Sequence, residues 1–149
     1  MGGHYYYYFV PYQEDVNSAL QALRKQEFEA GRYNPAIPFP FDDWPSQTLG
    51  TAQGAKHASI EGALEDSEAD GTRSILDMER VGTRAGFGVV VQLSSDKLMD
   101  LYETTRPSHQ MIKENLGFFE EIERGQGIYI VVYKDDRPSE LFFAGISYD

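Results

Sequence analysis

The sequence predicts an α+β domain, with a mainly antiparallel sheet of about five strands and helices packed on one face. Three observations carry this. Tyr5 to Val10, Ile128 to Tyr133 and Glu140 to Tyr148 are β-prone runs that are apolar on both sides. Val16, Ala19, Leu20 and Leu23, and later Ile112, Leu116, Phe119 and Ile122, recur at helical spacing. The segment DDRPS between the last two runs reads as a hairpin turn.

In chain order, YYYYFV is an interior strand ended by Pro11. Glu14 and Asp15 place acids at the start of the first helix, and Gly31 is its natural stop. Ser59 caps a short helix from Ile60 to the region of Ala69. Arg73 to Val81 reads as a strand centred on Ile75 and Leu76, Gly82 to Gly86 as a turn, and Phe87 to Leu93 as a second strand. Ser95 caps a helix carrying Leu98, Leu101 and Tyr102. The cluster Thr105 to Ser108 starts another, which runs to Arg124 and stops at Gly125. The closing hairpin completes the order β-α-loop-α-β-β-α-α-β-β, with no internal repeat.

The chain of 149 residues fits one domain, 1–149. Within it, 31–57 forms a long loop rich in proline and aromatics. Pro35, Pro38, Pro40 and Pro45 forbid helix and central strand there. Yet the loop carries Tyr33, Ile37, Phe39, Phe41 and the single tryptophan, Trp44. A loop that apolar covers a core or meets a partner. Because the strands are apolar on both sides, the helices cover one face and something else must cover the other. The expected cover is this loop, with a second helical layer or a homodimer contact as alternatives.

With no cysteine, disulfides, thiol catalysis and cysteine zinc sites are excluded. The net charge of −11 argues against nucleic acid and anionic membrane, and favours a basic protein partner. The start of the chain lacks the basic and apolar regions of a signal peptide, so a cytoplasmic protein is expected. No nucleophile elbow, phosphate loop or dinucleotide fingerprint occurs, and no cofactor is expected. His57 and His109 are each able to pair with a carboxylate, but no local pattern makes either one catalytic.

Two stretches have metal-ligand spacing. Gly2-Gly3-His4 has the form of a terminal square-planar copper or nickel site; its plainer reading is a chain terminus before a strand. Asp66 to Asp77 reads DSEADGTRSILD, with acids at Asp66, Glu68 and Asp70, a glycine at Gly71 and a carboxylate at Asp77. These twelve residues resemble an EF-hand calcium loop. They depart from it at Glu68, which is long, at Arg73, which replaces an apolar residue, and at Asp77, which is shorter than the usual glutamate. An acidic helix end turning into a strand accounts for the same residues.

No motif fixes a reaction. The leading expectation is a non-enzymatic acidic domain that binds a basic protein, in the manner of an immunity or inhibitor protein. Its expected contacts are Tyr33, Phe39, Phe41, Asp42, Asp43 and Trp44. The alternatives are a small enzyme or ligand-binding domain with the 31–45 loop as a lid, and calcium binding through Asp66, Glu68, Asp70 and Asp77.

Overall fold

A computed structural model describes residues 4–33, 57–67 and 71–147. Their centre is a five-stranded sheet of order β1-β5-β4-β3-β2. The strands are β1 (Tyr5–Pro11), β2 (Arg80–Val81), β3 (Val89–Gln92), β4 (Gly127–Lys134) and β5 (Arg137–Ile146). The helices are α1 (Val16–Ala30), α2 (Ile60–Asp66), α3 (Ser95–Tyr102) and α4 (His109–Glu114). None of them is long and apolar enough to cross a membrane.

The class is α+β, but the sheet is mixed rather than mainly antiparallel. β5 pairs antiparallel with β1 and β4, whereas β3 pairs parallel with β4 and with β2. The cause is the length of the β3–β4 connection. It contains α3 and α4, enough chain to return across the sheet and enter β4 in the same direction. The β4–β5 hairpin forms as expected. Its two turn residues, Asp135 and Asp136, both have positive φ (52° and 63°), as a tight twisted hairpin requires.

Helices cover both faces, which corrects the expectation of one. On one side α3, α4 and a 3-10 helix (Gly117–Glu121) bring Leu98, Ile112, Phe118 and Phe119 against Tyr7, Ile130 and Phe142. On the other, α1 and a 3-10 turn (Ile75–Asp77) bring Leu20, Leu23 and Ile75 against Tyr6, Tyr8, Leu141 and Phe143. The doubly apolar strands did demand two covers. The second is a helical layer, one of the alternatives the sequence offered; the proline-rich loop beyond Tyr33 lies outside the described residues.

Two elements differ from their expected form because side chains compete with the backbone. Ser74 accepts from the Leu76 amide (3.2 Å) and Asp77 from the Thr72 amide (2.7 Å), which curls Ile75–Asp77 into a turn instead of a strand. Only Arg80 and Val81 remain extended as β2. The helix expected to run to Arg124 breaks after Glu114. Asn115 accepts from the Gly117 amide (2.9 Å) and donates to the Leu101 carbonyl (3.0 Å), tying the break to the end of α3. Ser59 and Gly31 act as the sequence predicts, whereas Glu14 and Asp15 precede α1 instead of lying in its first turn. Asp15 accepts from the Ser18 amide, Ser59 from Gly62, and Gly31 closes α1 at φ 76°. Ser94, one residue before the expected Ser95, caps α3.

Candidate functional site

The 3-10 turn that replaces the expected strand also builds a cavity beside it. The cavity, about 200 Å³, lies between Leu64 and Ser67 at the end of α2, Gly71, Asp77 and Glu79 after the turn, and Phe87 and Gly88 before β3. Gly88 has φ 72°, and a Cβ there would come 3.4 Å from Glu79 Cγ and 3.5 Å from the Asp77 carbonyl. Glycine suits this left-handed backbone, while a Cβ would meet these atoms only at ordinary contact distance. Phe87 stands at the cavity 72% exposed.

Asp77 is its most constrained group. The Thr72 amide and hydroxyl donate to its Oδ1 at 2.7 and 2.8 Å, and the Ser147 hydroxyl donates to its Oδ2 at 2.9 Å. Ser147 is in turn fixed by the Arg73 amide at 3.2 Å, with Arg73 at φ 57°. Among the described residues no cation lies within ion-pair distance of Asp77. Burial raises its pKa above the ordinary carboxylate value, against the pull of its hydrogen bonds from Thr72 and Ser147 and of distant Arg24. The outcome is a half-buried acid with fixed geometry and spare acceptor capacity on Oδ2. Nearby His4 is shifted down, first by burial and then by the charge of Arg73.

The residues singled out in the sequence fall in different places. Tyr33 is fully buried and stacked on Phe28. Its Oη lies 2.9 Å from His57 Nδ1, and His57 Nε2 lies 2.7 Å from Asp66 Oδ2. This chain joins the segment after α1 to the end of α2. It gives His57 a carboxylate, but the hydroxyl at its other nitrogen is sealed in the core. His109 pairs with Glu140 through Nδ1 at 2.8 Å and stacks on Phe9 at 3.8 Å. Both His–acid pairs therefore exist, and neither lines the Asp77 cavity.

Of the calcium-loop residues, Asp66 and Asp77 serve different partners, His57 on one side and Thr72 with Ser147 on the other. Among the described residues no group of three or more acids or histidines could hold a metal ion. Glu68 and Asp70 lie outside the described residues, as do Gly2, Gly3, Phe39, Phe41, Asp42, Asp43 and Trp44. Sequence reasoning missed Glu79, Phe87 and Ser147. The available signal was Phe87 itself, a large apolar residue between two glycines. Comparison with protein-family models, curated proteins and solved structures finds no match.

Proposed function

We propose that this domain binds a basic protein, and that the cavity at Asp77 receives a cationic side chain of that partner. The observation that carries this reading is the Asp77 carboxylate, which has no ion-pair partner among the described residues, held in a cavity with Glu79 and the exposed ring of Phe87. Removing a carboxylate from water without a counter-charge is unfavourable. A guanidinium or ammonium group relieves that penalty and finds an aromatic face beside it. The net charge of −11 adds long-range attraction for a basic partner. An inhibitor-type or immunity-type role fits this size and charge.

The test is an NMR titration of the full chain with N-acetylarginine amide and its neutral citrulline counterpart. Arginine should shift the signals of Phe87 and Gly88, and the effect should weaken with salt. Citrulline should leave them in place. An Asp77→Asn, Glu79→Gln variant should respond to neither. Equal responses to both compounds, or an undiminished response in the variant, would overturn the reading.

A further inference from the structure

Among the described residues, strand β1 forms one edge of the sheet and pairs only with β5. In an antiparallel ladder, alternate residues exchange both backbone hydrogen bonds with the neighbour. The Tyr12 amide donates to the Ser139 carbonyl, and the Ser147 amide to the His4 carbonyl. With the register Tyr6↔Gly145, Tyr8↔Phe143 and Val10↔Leu141, this assigns the even-numbered residues of β1 to β5. Tyr7, Phe9 and Pro11 turn their backbones outward. Pro11 has no donor to present. The outward amides of Tyr7 and Phe9 have no hydrogen-bond partner among the described residues.

Edges of this kind are ordinarily protected by a lysine, an internal proline, a bulge or a cover. From Tyr5 to Val10 the strand contains no charge and no proline, and its pairing with β5 is unbroken. Two depressions lie along it. One, of about 200 Å³, is lined by Tyr8, Phe9 and Val10 with Leu23, Gln26 and Glu27 of α1 and His109 of α4. The other, of about 440 Å³, is lined by Tyr5, Phe119, Ile122 and Ile146 of β5, with Glu120, Glu123 and Arg124 also at its wall. Tyr5 and Phe9 stand about 13 Å apart along the strand. The edge thus offers main-chain donors and acceptors with a depression towards each end.

Charge decides between occupants. A second copy would bring another chain of net charge −11 against this one. Glu120 and Glu123 outnumber Arg124 at one depression, and Glu14 and Asp15 follow the other end of the strand. We propose that the outer edge of β1 takes an extended, basic segment of a partner protein as an added strand. Its main chain bonds to Tyr7 and Phe9, and side chains four residues apart enter the two depressions. The proposal deepens the basic-partner reading by giving the partner's conformation, and it uses a surface separate from Asp77.

The probe is a synthetic peptide of alternating lysine and valine, compared with an analogue N-methylated at alternate residues. The two have the same charge and side chains but different main-chain donors. In the free chain, the amides of Tyr7 and Phe9 should exchange with deuterium faster than those of Tyr6 and Tyr8. The unmodified peptide should slow exchange at Tyr7 and Phe9, and N-methylation should weaken binding about tenfold. Equal binding of both peptides, or of neither, would overturn strand addition. So would Tyr7 and Phe9 amides already protected in the free chain. Protection lost on dilution would identify a second copy as the cover, and protection at every concentration would identify the chain itself. If the arginine compound still acts at Asp77 while N-methylation has no effect here, strand addition falls and the basic-partner reading stands.

Discussion

Thr72 holds Asp77 by two hydrogen bonds to the same carboxylate oxygen, from its amide at 2.7 Å and its hydroxyl at 2.8 Å. The Asp77 pKa nevertheless stays above the ordinary value of 3.8, because burial outweighs those bonds. A carboxyl raised on folding contributes stability below its unfolded pKa, and that contribution is lost as pH rises through the folded value. Relative to Asp77→Asn, the native chain should therefore be favoured most below pH 3.8 and progressively less as pH rises through the raised folded value. Urea unfolding of both proteins across this range measures the difference. A difference independent of pH would contradict the burial of this acid.

Glu27 and Arg32 make the reverse case, a buried acid with its cation. Arg32 Nε and Nη2 donate to the two Glu27 oxygens, each at 2.9 Å. The Glu27 side chain is 2% exposed and that of Arg32 24%. Arg32→Ala leaves the carboxylate buried alone and should cost about 3–5 kcal/mol. Pairing it with Glu27→Leu should recover much of the loss. Chemical denaturation of the two single variants and the double variant gives the coupling directly.

Phe142 lies among Tyr7, Phe9 and Phe118, with ring centroids 5.5, 4.8 and 5.3 Å away. It is fully buried beneath the α3–α4 layer. Phe142→Ala should cost about 3–5 kcal/mol, while Phe142→Leu should cost less because it leaves a smaller cavity. Equal losses for the two variants would mean that the site collapses around either.

Calcium should leave the protein's thermal stability unchanged. A tight site would add about 2.7 kcal/mol at a hundredfold excess over its dissociation constant. Asp66 and Asp77 are instead committed to His57 and to Thr72 with Ser147. Melting curves with calcium and with chelator should superimpose. A rise with calcium that Asp77→Asn abolishes would restore the calcium reading.

What was legible in the sequence was local. Asp15, Ser59 and Gly31 marked helix ends because capping depends on adjacent backbone groups. The β4–β5 hairpin was legible because its turn and both strands are contiguous. Parallel pairing of β3 with β4 was not, since strand direction depends on how the intervening helices pack. Ile75 and Leu76 resembled strand residues by apolarity alone, and only the bonds of Thr72, Ser74 and Asp77 reveal the turn. Asp77 was singled out, but as one ligand of a continuous loop. Its cavity partners Glu79 and Phe87 come from the turn and from the approach to β3, a proximity that no spacing encodes.

The place of β5 has a consequence for how the chain emerges from the ribosome. β1 faces β5 from Tyr5↔Ile146 to Pro11↔Glu140, so nearly all of the described chain separates the two strands. Until β5 has been made, β1 lacks the strand it pairs with among the described residues. A nascent chain therefore carries an uncharged, tyrosine-rich segment from the synthesis of β1 until that of β5, a state in which strands from neighbouring chains can pair wrongly. The yield of native protein should depend on the speed of translation and on chaperones that hold extended aromatic segments. Moving the β1 sequence to follow β5 by circular permutation should reduce that dependence.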